Sequence, residues 1–138
     1  MKIQILQKIE DSIDGFTPIL IDDCNFEIDV PKNSIESILM IDSLEKIKYE
    51  NLHDTLLKIT NLLRLNGDLV LGGVDIECLS RDLLAGKLSV DEYNKIVFSK
   101  NSLCSSHELI EKLKKLGLKI NKVTVKGAVY EIQASRSN

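Results

Sequence analysis

The chain has 138 residues, 43% of them hydrophobic and 28% charged, which is the composition of an ordinary soluble globular protein and predicts one domain over residues 1–138. A net charge of −3 gives no electrostatic reason to expect nucleic acid, whose non-specific affinity comes from phosphates neutralised by Lys and Arg. No apolar run approaches the roughly 20 residues that span a bilayer, and the first residues lack the apolar centre of a secretory signal, so a cytoplasmic protein with no membrane partner is expected.

Taken in order, Lys2 to Leu6 alternates polar and apolar residues, and residues 17–21 form a short apolar run after Gly15; both read as strands. Residues 36–41 are almost continuously apolar, as a central parallel strand covered on both faces requires. From Leu52, the residues Leu56, Ile59 and Leu63 recur at helical spacing opposite His53, Asp54, Lys58 and Asn61. Asn66-Gly67 then supplies the left-handed residue that ends a helix, and residues 68–72 read as the next strand.

Leu79, Leu83 and Leu84 suggest a short helix closing at Gly86, and Ser89 with Glu92 has capping-box spacing for another through Phe98; the two read as an insertion. Ser105 and Glu108 repeat that spacing before a helix striped by Leu109, Ile110, Leu113 and Leu116 and ended by Gly117. Residues 119–125 and 129–134 are β-rich and joined near Lys126-Gly127, which predicts a terminal antiparallel pair. Strands alternating with helices imply an α/β, Rossmann-like, doubly wound, mostly parallel sheet, with ligands at the carboxyl ends of its strands. Cys24, Cys78 and Cys104 are odd in number and widely spaced, which suits reduced core thiols, and with only His53 and His107 to join them no metal site is expected.

The phrase Pro31-Lys-Asn-Ser-Ile-Glu-Ser-Ile38, then Leu44-Glu-Lys-Ile47, then Leu62-Leu-Arg-Leu-Asn-Gly67 resembles the middle of small class I S-adenosylmethionine-dependent methyltransferases in order and spacing. The later stretches Val74-Asp-Ile-Glu, Leu83-Leu-Ala-Gly86 and Leu88-Ser-Val-Asp-Glu-Tyr-Asn94 are similar to a compact branch of that superfamily. The resemblance implies S-adenosylmethionine as cofactor, with Asp22 at the ribose hydroxyls, Asp23 as its shifted rival, and Met40, Ile41 and Asp42 bordering the cofactor at the end of the central strand. It also implies that Asp75 faces a substrate.

Each residue has a plainer reading beside that one. Asp22 suits a solvated turn, Met40 and Ile41 suit a buried strand, and Asp42 and Asp75 suit helix caps. Lys46 stands where the family has a histidine, and a Lys with pKa near 10.4 is a poor general base at neutral pH, so Glu45 and Lys46 read as an exposed charged surface. His53 and His107 read as solvent-facing, and Lys112, Lys114, Lys115, Lys119, Lys122 and Lys126 as a basic concentration on a solvated face.

The family places a glycine-rich turn after the first strand so that backbone can approach the cofactor. Here Gln7, Lys8 and Ile9 occupy that place, no glycine comes before Gly15, and the stretch 24–30 is short for a third strand with its adenine loop. Two functions follow: methyl transfer from S-adenosylmethionine to an unidentified acceptor by positioning the reactants, or a catalytically inactive descendant that keeps the sheet as a binding or assembly module. The partner is then an acceptor, another protein, or further copies of the chain in a homo-oligomer.

Overall fold

The computed structural model describes residues 1–21 and 28–137. Its strands are β1 (Lys2–Leu6), β2 (Thr17–Leu20), β3 (Ile35–Ile41), β4 (Leu63–Val74), β5 (Leu118–Lys126) and β6 (Val129–Arg136), and its helices are α1 (Leu52–Leu62), α2 (Ile76–Leu84), α3 (Val90–Phe98) and α4 (Ser106–Lys115). The strands form one sheet in the order β2-β1-β3-β4-β6-β5. The pairs β1–β2, β1–β3 and β3–β4 are parallel, and β6 runs antiparallel to both β4 and β5. This is the mixed doubly wound sheet expected from the sequence, with its antiparallel pair at the C-terminal end. No helix among the described residues is long and apolar enough to cross a membrane.

The core lies on one face of the sheet. Ile3, Ile5, Ile38, Met40, Leu69 and Leu71 share a buried cluster with Leu56 and Ile59 of α1 and with Leu109 and Leu113 of α4. Fully burying each such side chain contributes about 1.5–3 kcal/mol. Chain handedness explains why α1 and α4 gather there. Right-handed crossovers from β3 to β4 and from β4 toward β5 advance the same way across the sheet and lie on the same side, whereas the crossover from β1 to β2 runs the other way and lies on the opposite side. Ile21, just after β2, is buried in the same cluster, and Ile28 and Val30, before β3, pack against it.

The β1–β2 connection is only residues 7–16 and carries a single 3-10 turn, Ile9–Asp11. It folds back over β1 because the Gln4 side chain brackets it: Gln4 Nε2 donates to Asp11 O at 3.0 Å, and Ile13 N donates to Gln4 Oε1 at 2.8 Å. Beyond that segment, the face opposite α1 carries no helix among the described residues. Ile41 is 41% exposed and Leu20 55% exposed there.

Several boundaries follow the expected chemistry. Ser89 and Glu92 form a complete capping box at α3, Ser105 Oγ accepts from Glu108 N at α4, and Gly86, Gly117 and Gly127 take positive φ where helices end or the β5–β6 hairpin turns. One boundary moves: α1 ends at Leu62, and Leu63, expected on its apolar stripe, is instead the buried first residue of β4. Asn66 rather than Gly67 takes the left-handed conformation, at φ 63°. Gly67 is still required, because a Cβ there would lie 2.9 Å from Arg64 O and 3.0 Å from Ile35 O.

Candidate functional site

The strand order reverses between β1 and β3, so the carboxyl ends of these two strands form the switch-point crevice in which α/β sheets bind ligands. A depression of about 440 Å³ opens there, lined on one side by Gln4, Leu6, Gln7 and Lys8 and on the other by Leu39, Ile41 and Asp42. Asp42 leaves β3 with φ 59°, its N–H donating to Gly72 O at 2.9 Å, and its carboxylate is exposed at the rim. The side-chain amide of Gln7 crosses the mouth of the crevice and donates to the carbonyl of Asp42.

The residues singled out from the sequence separate into distinct environments. Ile41 and Asp42 line the depression. Met40, between Leu39 and Ile41 in the strand, points to the other face and is fully buried in the core cluster. Asp22 and Asp23 lie outside the described residues. Asp75 is the N-cap of α2: Oδ1 accepts from Glu77 N at 2.9 Å and Cys78 N at 3.1 Å, and Oδ2 accepts from Ser106 N at 2.9 Å. Burial opposes ionisation of this carboxyl, but the N–H donors of Ser106, Cys78 and Glu77 outweigh it and hold its pKa below the usual value. Both oxygens are committed to backbone.

Glu45 corrects the expectation of an exposed Glu-Lys surface. It is 5% exposed, and its partner is Lys100 rather than Lys46: Lys100 Nζ lies 2.6 Å from Glu45 Oε2, while Oε1 accepts from Val74 N at 2.7 Å. Gly73 makes room for this, since a Cβ there would lie 2.8 Å from Glu45 Oε1 and 3.2 Å from the Tyr130 hydroxyl. Burial, followed by surrounding negative charges that include Glu45, raises the Tyr130 pKa far above its ordinary value. His53 and His107 are exposed, as their helix positions imply.

Gln4, Gln7 and Lys100 carry contacts that sequence reasoning did not assign. A polar Gln4 between Ile3 and Ile5 was the one available signal, because a buried polar side chain must find partners. Whether the crevice suits S-adenosylmethionine is decided at its floor and mouth. The turn leaving β1 is built from Gln7, Lys8 and Ile9, with no positive-φ residue before Gly15, and Gln7 spans the gap. This arrangement does not provide the close backbone approach that the cofactor needs.

No protein-family model matches the sequence, and no curated protein sequence does. Solved structures match the fold. A possible histamine N-methyltransferase from Thermotoga maritima, described as S-adenosylmethionine-dependent, superposes with a TM-score of 0.64 at 17% identity, over 99% of this chain and 73% of that one. A putative methyltransferase from Haloferax volcanii, solved with a methyltransferase activator, gives 0.62 at 11% identity over 94% and 64%. The geranyl diphosphate C-methyltransferase of Streptomyces coelicolor, solved with S-adenosyl-L-homocysteine, gives 0.58 at 15% identity over 89% and 54%. The chain therefore has the class I fold of S-adenosylmethionine-dependent methyltransferases.

Proposed function

We propose that the chain is a methyltransferase-fold binding and assembly module that does not itself carry the methyl donor. The observation behind this reading is the Gln7 amide bonded to the Asp42 carbonyl across the switch-point crevice, on a turn without glycine. Support also comes from the crossover of residues 7–16, which supplies a 3-10 turn and no α-helix to that side of the crevice. The Haloferax volcanii neighbour, solved with an activator protein, is a case in which this fold works within a complex. Calorimetric titration with S-adenosylmethionine and S-adenosylhomocysteine at millimolar concentration tests the proposal. No heat and no thermal shift are expected, and saturable binding overturns it.

A second reading, methyl transfer from S-adenosylmethionine to an unidentified acceptor, is favoured by the depression itself, which keeps Asp42 and Ile41 at the switch point. The same titration decides between the two. The absence of binding removes this reading, because a donor that is not held cannot be positioned.

A further inference from the structure

Parallel sheets are normally covered on both faces, yet here the face opposite α1 is bare of helices among the described residues. Its centre is apolar, with Ser37 and the exposed Asp68 at the amino ends of β3 and β4: Leu39 and Val70 are half-buried, and Ile41 lies across Gly72, where a Cβ would meet Ile41 Cδ1 at 2.6 Å. Its two flanks carry opposite charge. On the β1–β2 side the covering segment presents Glu10, Asp11 and Asp14, all exposed, against Lys8 and against Lys2 at the start of β1. On the other side β5 presents Lys119, Lys122 and Lys126, all exposed, against Glu131.

The three lysines share that face because of a bulge. Lys119 pairs with Ser135 and Lys122 with Gln133, the irregularity between Ile120 and Lys122 absorbing one residue, and Lys126 pairs with Val129. Ser135, Gln133, Glu131 and Val129 alternate along β6 with the buried Ala134, Ile132 and Tyr130, so they and their partners on β5 face away from the core.

We propose that this bare face is the interface of a face-to-face homodimer in which the acidic flank of each copy lies over the basic β5 flank of the other. A two-fold axis parallel to the strands places β2 of one copy over β5 of its partner and makes both charge contacts at once, with Ile41 and Val70 packed at the centre. The alternative axis, perpendicular to the strands, sets acid on acid and lysine on lysine. The contact is isologous and closes at two copies. Six strands at about 4.8 Å spacing, each roughly 20 Å long, offer about 600 Å² per copy, near the lower bound of stable interfaces. Contacts of that size are found among weak and transient associations. The proposal rests on the assembly-module reading and names its partner as a second copy, and it fails on a different measurement from the cofactor titration.

The test is sedimentation equilibrium of the full chain from about 1 to about 200 μM, with circular dichroism to confirm folding. Wild type is expected to reach twice the monomer mass and to dissociate as salt rises. Ile41→Lys is expected to remain monomeric throughout. Lys122→Glu with Lys126→Glu is expected to weaken dimerisation at least tenfold, and adding Glu10→Lys and Asp14→Lys to restore it; this surface charge swap carries the test if Ile41→Lys does not fold. A wild-type monomer over the whole range overturns the proposal, as does a dimer that neither Ile41→Lys nor the charge reversal affects.

Discussion

Lys100 and Glu45 are 55 residues apart in sequence and form an ion pair at 2.6 Å whose carboxylate end is buried and whose lysine end is half-buried, fastening the segment after α3 to the loop after β3. The loop is held a second time through its backbone, because Asn101 N and Ser102 N both donate to Glu45 O. Removing Glu45 leaves a lysine that water can partly reach and a backbone N–H, that of Val74, that has lost its acceptor, at a cost of about 1–3 kcal/mol, less than for a fully buried pair. Glu45→Ala is therefore expected to destabilise by about that amount in urea unfolding. Glu45→Gln combined with Lys100→Met is expected to destabilise less than Glu45→Ala alone. With the Glu45→Gln and Lys100→Met single variants the cycle is complete, and additive losses in it would mean that the pair is not coupled.

Asp75 makes stability depend on acid. Its folded pKa is lowered by backbone donors, so its contribution is complete above the unfolded value of about 3.9 and is lost as pH falls through the lower folded value. Asp75→Ala is expected to cost about 1–2 kcal/mol at pH 7, the usual range for a lost N-cap, and the deficit to shrink below about pH 4 as wild type loses the same interaction. Urea unfolding of both proteins at neutral and acidic pH checks this. A deficit that does not change with pH contradicts the assignment.

Cys104 is buried beside the α2 cap, and burial, followed by the charge of Glu108, pushes its thiol up to about 12. Only the thiolate is the nucleophile. Native protein treated with iodoacetamide at mildly alkaline pH is expected to leave Cys104 unmodified in peptide mass mapping, and urea-unfolded protein to label it fully. The half-buried Cys78 is the internal comparison. Equal labelling of Cys78 and Cys104 in the folded state would rule out this environment for Cys104.

What the sequence reveals and what it hides divide along a physical line. Local signals carry through: Ser89 with Glu92 caps α3, Gly117 ends α4, and the alternation in residues 2–6 is β1, because each depends on groups within one turn or one pleat. The crevice was legible only as a position. Ile41 and Asp42 follow from the apolar run of β3, but the Gln7 bridge joins residues 35 apart, and no local pattern marks it. Glu45 was misread for the same reason. An acidic residue beside a lysine in sequence looks like surface, and its true partner comes from beyond α3. Leu63 shows the converse: its spacing fits α1, yet pairing with Ile35 draws it into β4.

Gln4 does for this chain what a glycine turn does elsewhere: it fixes the course of the backbone leaving β1. One buried amide, 6% exposed, satisfies both a carbonyl at Asp11 and an N–H at Ile13. Gln4→Met keeps the volume and removes both hydrogen bonds, leaving Ile13 N and Asp11 O without their partner. Such losses are worth about 1–3 kcal/mol per buried group, although part is recovered wherever water reaches the released segment. A destabilisation of about 1–3 kcal/mol in urea unfolding is expected. The sharper measurement is hydrogen exchange. The Ile13 amide should lose protection by one to two orders of magnitude, about 1.4 kcal/mol per tenfold, while amides of β3 and β4 report only the global change. If Ile13 exchanges in Gln4→Met as it does in wild type, the Gln4 bracket does not hold the segment.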